Sequence, residues 1–287
     1  MVELKRKTQI NFGRPSYINA LPFFSGLEAE GNDFDLKFFD APPSQLNQLI
    51  QNGETDVTLA SSIEYARNPD KYFVLPGLGL SAKEDCLSVN LFCEEELTSL
   101  NKKQIFYTSE TASSIVLLDI LLKDCFELQV ELVSLGEQDE AEAISEGKPC
   151  LVIGDKALLL NHRLKDTNVR CYDLASLWWA WMKSPFCFAL WLVRKDYYNE
   201  NKESVQALSH QMRERVSKNC LDFESLRIKH EKFSPTLHGL SEQEVKEYLA
   251  LFDFGLNEKT VQGLHIFYEK AHRLGIIPQI KKLEFAS

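Results

Sequence analysis

Strand-like and helix-like stretches alternate along the first two thirds of this chain, and that alternation limits its fold more than any other feature. β-type runs occur at 9–12, 36–39, 56–60, 104–107, 130–133 and 150–153. Helical patterns follow most of them: Ala20 to Ala29, Ser44 to Asn52, Ser114 to Cys125 and Glu140 to Glu146. The second is the clearest. Ser44 can cap it, Leu46, Leu49 and Ile50 share a face, and Gly53 stops it. Two further runs, 87–92 and 186–193, read as strands that cross between two αβ series. Beyond Val193 the pattern is nearly all helical, with Val205, Leu208, Met212 and Val216 on one face and Val261, Leu264, Tyr268 and Ala271 on another. The expectation is an α/β chain of two lobes with parallel sheets. Lobe 1 would be discontinuous, residues 1–93 plus 187–287 with the C-terminal helices, and lobe 2 would hold 94–186. Two crossings make a hinge, and a hinge leaves a central cleft.

Charge and composition remove several function classes. With 287 residues and a formal net charge of -10, the chain gains nothing from non-specific contact with nucleic acid, which needs phosphate neutralisation by Lys and Arg. No run of about 18 apolar residues exists, so no membrane span is expected. The charges of Met1 to Lys7 lead into a strand rather than an apolar h-region, so no secretory signal is expected. Seven cysteines, Cys86, Cys93, Cys125, Cys150, Cys171, Cys187 and Cys220, form no C-x-x-C pair and lie mostly in apolar runs. Reduced, buried thiols in a cytoplasmic protein fit that pattern. His162, His210, His230, His238, His265 and His272 are scattered, without metal-ligand spacing. Gly77-Leu78-Gly79 completes neither a dinucleotide fingerprint nor a P-loop, so neither metal nor cofactor is expected. The aromatic cluster of Trp178, Trp179, Trp181, Phe186, Phe188 and Trp191 reads as core and hinge packing, with a ring available to wall the cleft.

Ligands of parallel α/β sheets bind beyond the carboxyl ends of the strands. There the sequence places Arg14, Ser16, Tyr17 and Asn19, then Ser61 and Ser62, then Thr108, Ser109, Thr111 and Ser113, then Gly154 and Asp155. Each group precedes a helix or a helix-like turn, whose N–H groups suit carboxylates and phosphates. A Ser or Thr there is usually a plain cap. Five hydroxyls between Thr108 and Ser114 are more than capping needs. Hydroxyl-rich turns on two lobes fit a small anion with two carboxylates.

The ordered motifs resemble a known family. They are SYIN at 16–19, PSQLNQLIQNGETDVTLASSIEYARNP at 43–69, LSVNLF at 87–92, TSETASSIVLLDILL at 108–122, IGDKAL at 153–158 and YDLASLWWAW at 172–181. Together with FGLNEKTVQGLHIFYEKAHRLGII near the C-terminus, this set is similar to chorismate dehydratase, the first enzyme of the futalosine route to menaquinone. The resemblance implies a type II periplasmic-binding-protein fold without export. It implies loss of water from chorismate to give 3-[(1-carboxyvinyl)oxy]benzoate, without metal or nucleotide. It also points to Asn19 and Ser88 near the reacting centre. Glu64, Glu110 and Asp155 are the carboxylates available as a base, with ordinary readings as first-turn helix acids and, for Asp155, a cap. The alternative is that the enolpyruvyl carboxylate of the substrate takes the proton. Met182-Lys183-Ser184-Pro185 stands where the family tends to have Thr-Gly-Leu-Pro, and Glu110-Thr111 departs from its usual Ser-Ala-type turn. Two rival readings remain at this level: a non-catalytic small-carboxylate-binding protein, and the sister enzyme 1,4-dihydroxy-6-naphthoate synthase, whose Ser-Pro-Cys-Pro-Asn-type opening is absent here. Oligomeric state is not legible.

Overall fold

The apolar runs assemble into two sheets, and the crossing strands make both of them mixed rather than parallel. A computed structural model describes residues 7–27, 34–136, 138–220, 226 and 240–287. Within it β1 (Thr8–Arg14) pairs in parallel with β2 (Phe34–Asp40) and β3 (Val57–Ser61). β4 (Tyr72–Ala82) and β10 (Phe186–Arg194) extend this sheet, with β10 antiparallel to both β3 and β4 because it returns from the other sheet. The short β11 (Phe252–Asp253) closes the edge, giving the order β11-β4-β10-β3-β1-β2. The second sheet contains β5 (Val89–Cys93), β6 (Gln104–Tyr107), β7 (Glu131–Ser134), β8 (Cys150–Ile153) and β9 (Arg170–Asp173), in the order β7-β6-β8-β5-β9. β5 runs antiparallel to β8 and β9. All five of its residues are buried in that second sheet, so the strands divide between Ala82 and Val89 rather than at residue 93.

The helices follow the apolar periodicity, but several caps differ from expectation. α1 (Leu21–Phe24) is one turn, entered through a 3-10 turn at Ile18–Ala20; residues 28 and 29 of the expected helix lie outside the described residues. α2 (Pro43–Gln51) starts on Pro42 and Pro43, not on Ser44, because proline pre-sets the first helical φ. α3 (Ser62–Arg67) follows β3 directly. α4 (Ser113–Ile120) continues as a π-turn at Leu121–Cys125. α5 (Glu140–Ser145), α6 (Gly154–Leu164) and α7 (Leu174–Met182) flank the second sheet. α8 (Lys195–Asn219), α9 (Glu242–Ala250) and α10 (Glu258–Arg273) complete the chain. α9 begins with a capping box between Ser241 and Glu244.

Every cysteine is free, but Cys171 and Cys220 are exposed and Cys125 is half-buried. His230 and His238 lie outside the described residues. Trp178 and Trp191 are fully buried, and Trp178 meets Phe186 edge-on at 5.5 Å.

Both crossings contain a non-glycine residue in the left-handed region: Leu87 with φ +56 and Lys183 with φ +52. Asp173 ties the first crossing to the start of α7. Its Oδ2 accepts from the N–H groups of Cys86 at 2.9 Å and Leu87 at 2.6 Å. Its Oδ1 accepts from Ala175 and Ser176 and so caps the helix. Burial pushes the Asp173 carboxyl above its usual pKa despite these donors. Lys183 caps the other end of the same helix. A left-handed L-residue costs about 1–2 kcal/mol, of which glycine's own entropy returns about half. Lys183→Gly is therefore expected to raise the stability of the fold by about 0.5–1 kcal/mol, read by urea denaturation.

Candidate active site

The ends of β1, β3 and β8 and the first crossing converge on one cleft. From the first sheet it takes Tyr17, Asn19, Pro43, Ser61, Phe188 and Phe252. From the second it takes Ser88, Ala112, Ser113, Ser114, Ile153 and Gly154. Among the described residues no Lys or Arg lines it. An anion held here must use hydroxyls and backbone N–H groups, such as those that open α4.

Asn19 and Ser88 are brought together through a residue that the strand-end reading did not single out. Asn19 Nδ2 donates to the Tyr248 hydroxyl at 3.0 Å. Tyr248 donates to Ser88 Oγ at 2.8 Å, and Ser88 donates to the Cys86 carbonyl at 3.1 Å. Asn19 is 7% exposed, and its Oδ1 has no hydrogen-bond partner in the protein. Burial first, and then the charge of Asp155, push the Tyr248 phenol well above its ordinary pKa. It remains a neutral donor at any working pH.

Ser61 occupies the N-cap position of α3, yet its side chain makes no cap bond. Asn47 of α2 holds it on two sides: Nδ2 donates to Ser61 Oγ at 2.5 Å, and Oδ1 accepts from Ser61 N–H at 3.0 Å. The Ser61 hydroxyl proton is left for another acceptor. Ser62 and Ser113 are spent on each other across the two sheets. Their hydroxyls lie 3.1 Å apart, Ser62 donates to the Cys187 carbonyl, and Ser113 accepts from Ile63 N–H at 3.0 Å. Ser114 lines the cleft beside them.

Tyr17 forms one wall. Its hydroxyl donates to Glu110 Oε2 at 2.5 Å across the cleft. Its ring lies against Gly154, where a Cβ would sit 2.7 Å from two ring carbons. Gly154 has φ +71 and donates its N–H to the Ser88 carbonyl. Glycine thus serves both the left-handed turn and the ring's close approach. Next to it, Asp155 does not cap α6. It lies inside the first turn and its Oδ1 accepts from Ile18 N–H at 3.2 Å. Glu110 precedes α4 and is no first-turn acid of that helix.

Other expected residues lie elsewhere. Arg14 pairs with Asp40 at 2.6 Å and stacks on Phe38 at 3.9 Å, at the sheet's end rather than in the cleft. Ser16 is half-buried and Ser109 is exposed, and neither lines the cleft. Thr111 donates to the Thr108 carbonyl at 2.9 Å, a local turn bond that leaves both outside the cleft wall. Glu64 is buried among Tyr72 and Asn68, which both donate to its Oε1. Among the described residues no group of three or more His, Cys, Asp or Glu could hold a metal ion. No helix there is long and apolar enough to cross a membrane.

A family model described as menaquinone biosynthesis matches residues 10–273. Chorismate dehydratase from Thermus thermophilus is 30% identical over 277 residues, spanning 90% of this chain and 93% of that protein. A solved structure of a protein from Archaeoglobus fulgidus superposes with a TM-score of 0.75 at 20% identity, covering 94% of this chain and 98% of the other. The periplasmic aliphatic sulphonate binding protein SsuA of Escherichia coli follows with a TM-score of 0.68 at 13% identity, covering 94% of each chain. Those two likenesses establish the periplasmic-binding-protein fold, with its two sheets as expected from the alternation. The extent of the family match and of the identity place this chain in the chorismate dehydratase family of menaquinone biosynthesis.

Proposed function

We propose that this chain eliminates water from chorismate to give 3-[(1-carboxyvinyl)oxy]benzoate, in the futalosine route to menaquinone and in the cytoplasm. The family match supports the activity. The observation that carries the site assignment is the buried, unpartnered Oδ1 of Asn19, a residue of the cleft wall. An amide oxygen accepts hydrogen bonds and so suits the hydroxyl of chorismate; a carboxylate, which offers only acceptors, does not match it.

The reaction removes a ring proton at the ether carbon and the neighbouring hydroxyl. The proton is vinylogous to the ring carboxylate, so charge builds there as it leaves, and oriented donors stabilise that charge. Ser61, Ser114 and the N–H groups opening α4 are the donors on the cleft wall. The enolpyruvyl carboxylate of the substrate takes the proton and returns it to the departing oxygen, so one water leaves and no net proton comes from the protein. Asn19 Oδ1 holds the hydroxyl hydrogen, which turns the oxygen lone pairs toward that incoming proton. Ser88 supports the same centre. The two sheets act as lobes, and the Tyr17–Glu110, Ile18–Asp155 and Ser62–Ser113 bonds hold them closed. Closure excludes water and aligns the substrate, and aromatisation drives the step.

Glu64 is too enclosed to serve as the base, and its charge state makes this testable. Burial raises its pKa. The carboxyl therefore stabilises the fold fully below the unfolded value near ~4.3, and this contribution is lost as pH rises through the raised folded value. Glu64→Gln keeps an oxygen for Tyr72 and Asn68 and is expected to retain at least about half of turnover, since it removes no oriented donor. It should also narrow the stability difference between pH 4 and pH 7 in urea titrations.

The activity itself is tested by incubating the purified protein with chorismate and reading products by mass spectrometry. A product lighter by one water is expected. Protection against heat without turnover would indicate a carboxylate-binding protein. No turnover and no binding would direct the search to the substrate of 1,4-dihydroxy-6-naphthoate synthase.

A further inference from the structure

We infer that Tyr248 is a positioning residue of this site, setting the Asn19 amide so that its oxygen rather than its nitrogen meets the substrate. The inference rests on the dehydratase reading above and adds to it a residue that touches neither substrate nor cleft.

The direction of the buried hydrogen-bond chain settles the amide. A backbone carbonyl can only accept, so the Ser88 hydroxyl spends its single proton on Cys86. Ser88 Oγ can then only accept from Tyr248, and the phenol donates its single proton there. The phenol oxygen is left as an acceptor, so the Asn19 atom beside it must be the NH2 group. The oxygen is thereby committed to the other side, where it is buried without a protein partner, in a residue of the cleft wall. Tyr248 itself is fully buried and absent from the cleft wall. It comes from α9, more than two hundred residues from Asn19 in sequence. Its neutral phenol, held neutral by burial, keeps this polarity fixed over the working pH range.

Without the phenol hydroxyl nothing distinguishes the two ends of the amide, and the side chain can turn over about its last torsion, where the rotation is two-fold. The NH2 group would then meet the substrate hydroxyl in about half of the molecules, and in the rest the untethered oxygen drifts from its aligned position, where a displacement near 1 Å is costly. Catalysis falls, while the cleft keeps its shape and the carboxylate contacts.

The test is steady-state turnover of chorismate by the full chain and by Tyr248→Phe, Asn19→Ala and the double variant. Tyr248→Phe is expected to lower kcat about 10- to 100-fold, up to the loss that a misplacement near 1 Å costs an aligned site. KM should stay within about threefold of wild type, because substrate contacts remain. In the Asn19→Ala background the same change should lower kcat by less than about twofold, as expected for residues acting as one unit. Wild-type kcat in Tyr248→Phe, or losses that multiply in the double variant, would overturn the inference. An inactive wild-type protein would overturn the dehydratase reading and the inference with it, whereas an active wild type with an unaffected Phe variant would overturn the inference alone. If Tyr248→Phe does not fold, the wild-type protein decides by NMR. An Asn19 side-chain amide protected from exchange and close to the Tyr248 ring supports the inference, and a rapidly exchanging one overturns it.

Discussion

Asn19→Ala is expected to lower chorismate turnover by about 100- to 1,000-fold while leaving the fold intact. The size follows from what removal of one oriented polar group costs an active site. Asn19 is 7% exposed and lines the cleft, and its amide oxygen is buried and unpaired in the protein. Alanine leaves the Tyr248 hydroxyl without the amide donor but keeps its bond to Ser88. One lost buried hydrogen bond costs about 1–3 kcal/mol, small enough for the chain to stay folded. Product formation by quantitative mass spectrometry, with unfolding by circular dichroism as the control, checks both halves. Turnover within tenfold of wild type would remove Asn19 from the reacting centre.

Gly154→Ala carries the second large effect, through Tyr17. A methyl group at residue 154 would lie 2.7 Å from the tyrosine ring, and φ is +71 there. The backbone alone costs about 1–2 kcal/mol. The ring must then leave its place on the cleft wall, which weakens the bond to Glu110 that spans the two sheets. Turnover should drop by at least about tenfold, since misplacement near 1 Å is costly in an aligned site. Gly147 provides the control: φ is +78 there and nothing lies within 4 Å of an added Cβ. Gly147→Ala should lose comparable backbone stability with turnover unchanged. Equal activity losses in the two variants would show that the Tyr17 contact is not what matters.

Much of the architecture could be read from residue periodicity, and the exceptions have definite causes. β6 and β8 run as their apolar stretches suggest, because short β-branched and aromatic runs bounded by turn residues leave little choice. β4 escaped because Pro76, Gly77 and Gly79 interrupt it, residues that argue against a strand interior. It tolerates them through irregular pairing with β10. The parallel expectation held within β1–β3 and β6–β8 and failed at β5 and β10, whose direction is set by where the chain crosses between sheets rather than by local sequence.

The site was legible to a similar depth. Asn19 and Ser61 lie on the cleft beyond their strand ends, and Ser88, to which only the family resemblance pointed, lies there too. The strand-end rule gathered Arg14, Thr108, Ser109 and Thr111 equally well, because it cannot tell which way a side chain points. Arg14 instead answers Asp40 and the Phe38 ring. Tyr248 and Asn47 act from behind the wall, and only the fold brings them there. The capping box at Ser241 and the Val245–Tyr248 spacing mark α9 as a helix with a buried face. They do not mark where that face docks.

In the proposed reaction this cleft removes the proton at the ether carbon of chorismate together with the neighbouring hydroxyl. Chorismate carrying deuterium at that carbon tests it most directly, with products followed by mass spectrometry. The expected product is aromatic and has lost the deuterium along with one water. A product that retains the deuterium, or chorismate returned unchanged by the folded protein, would contradict it.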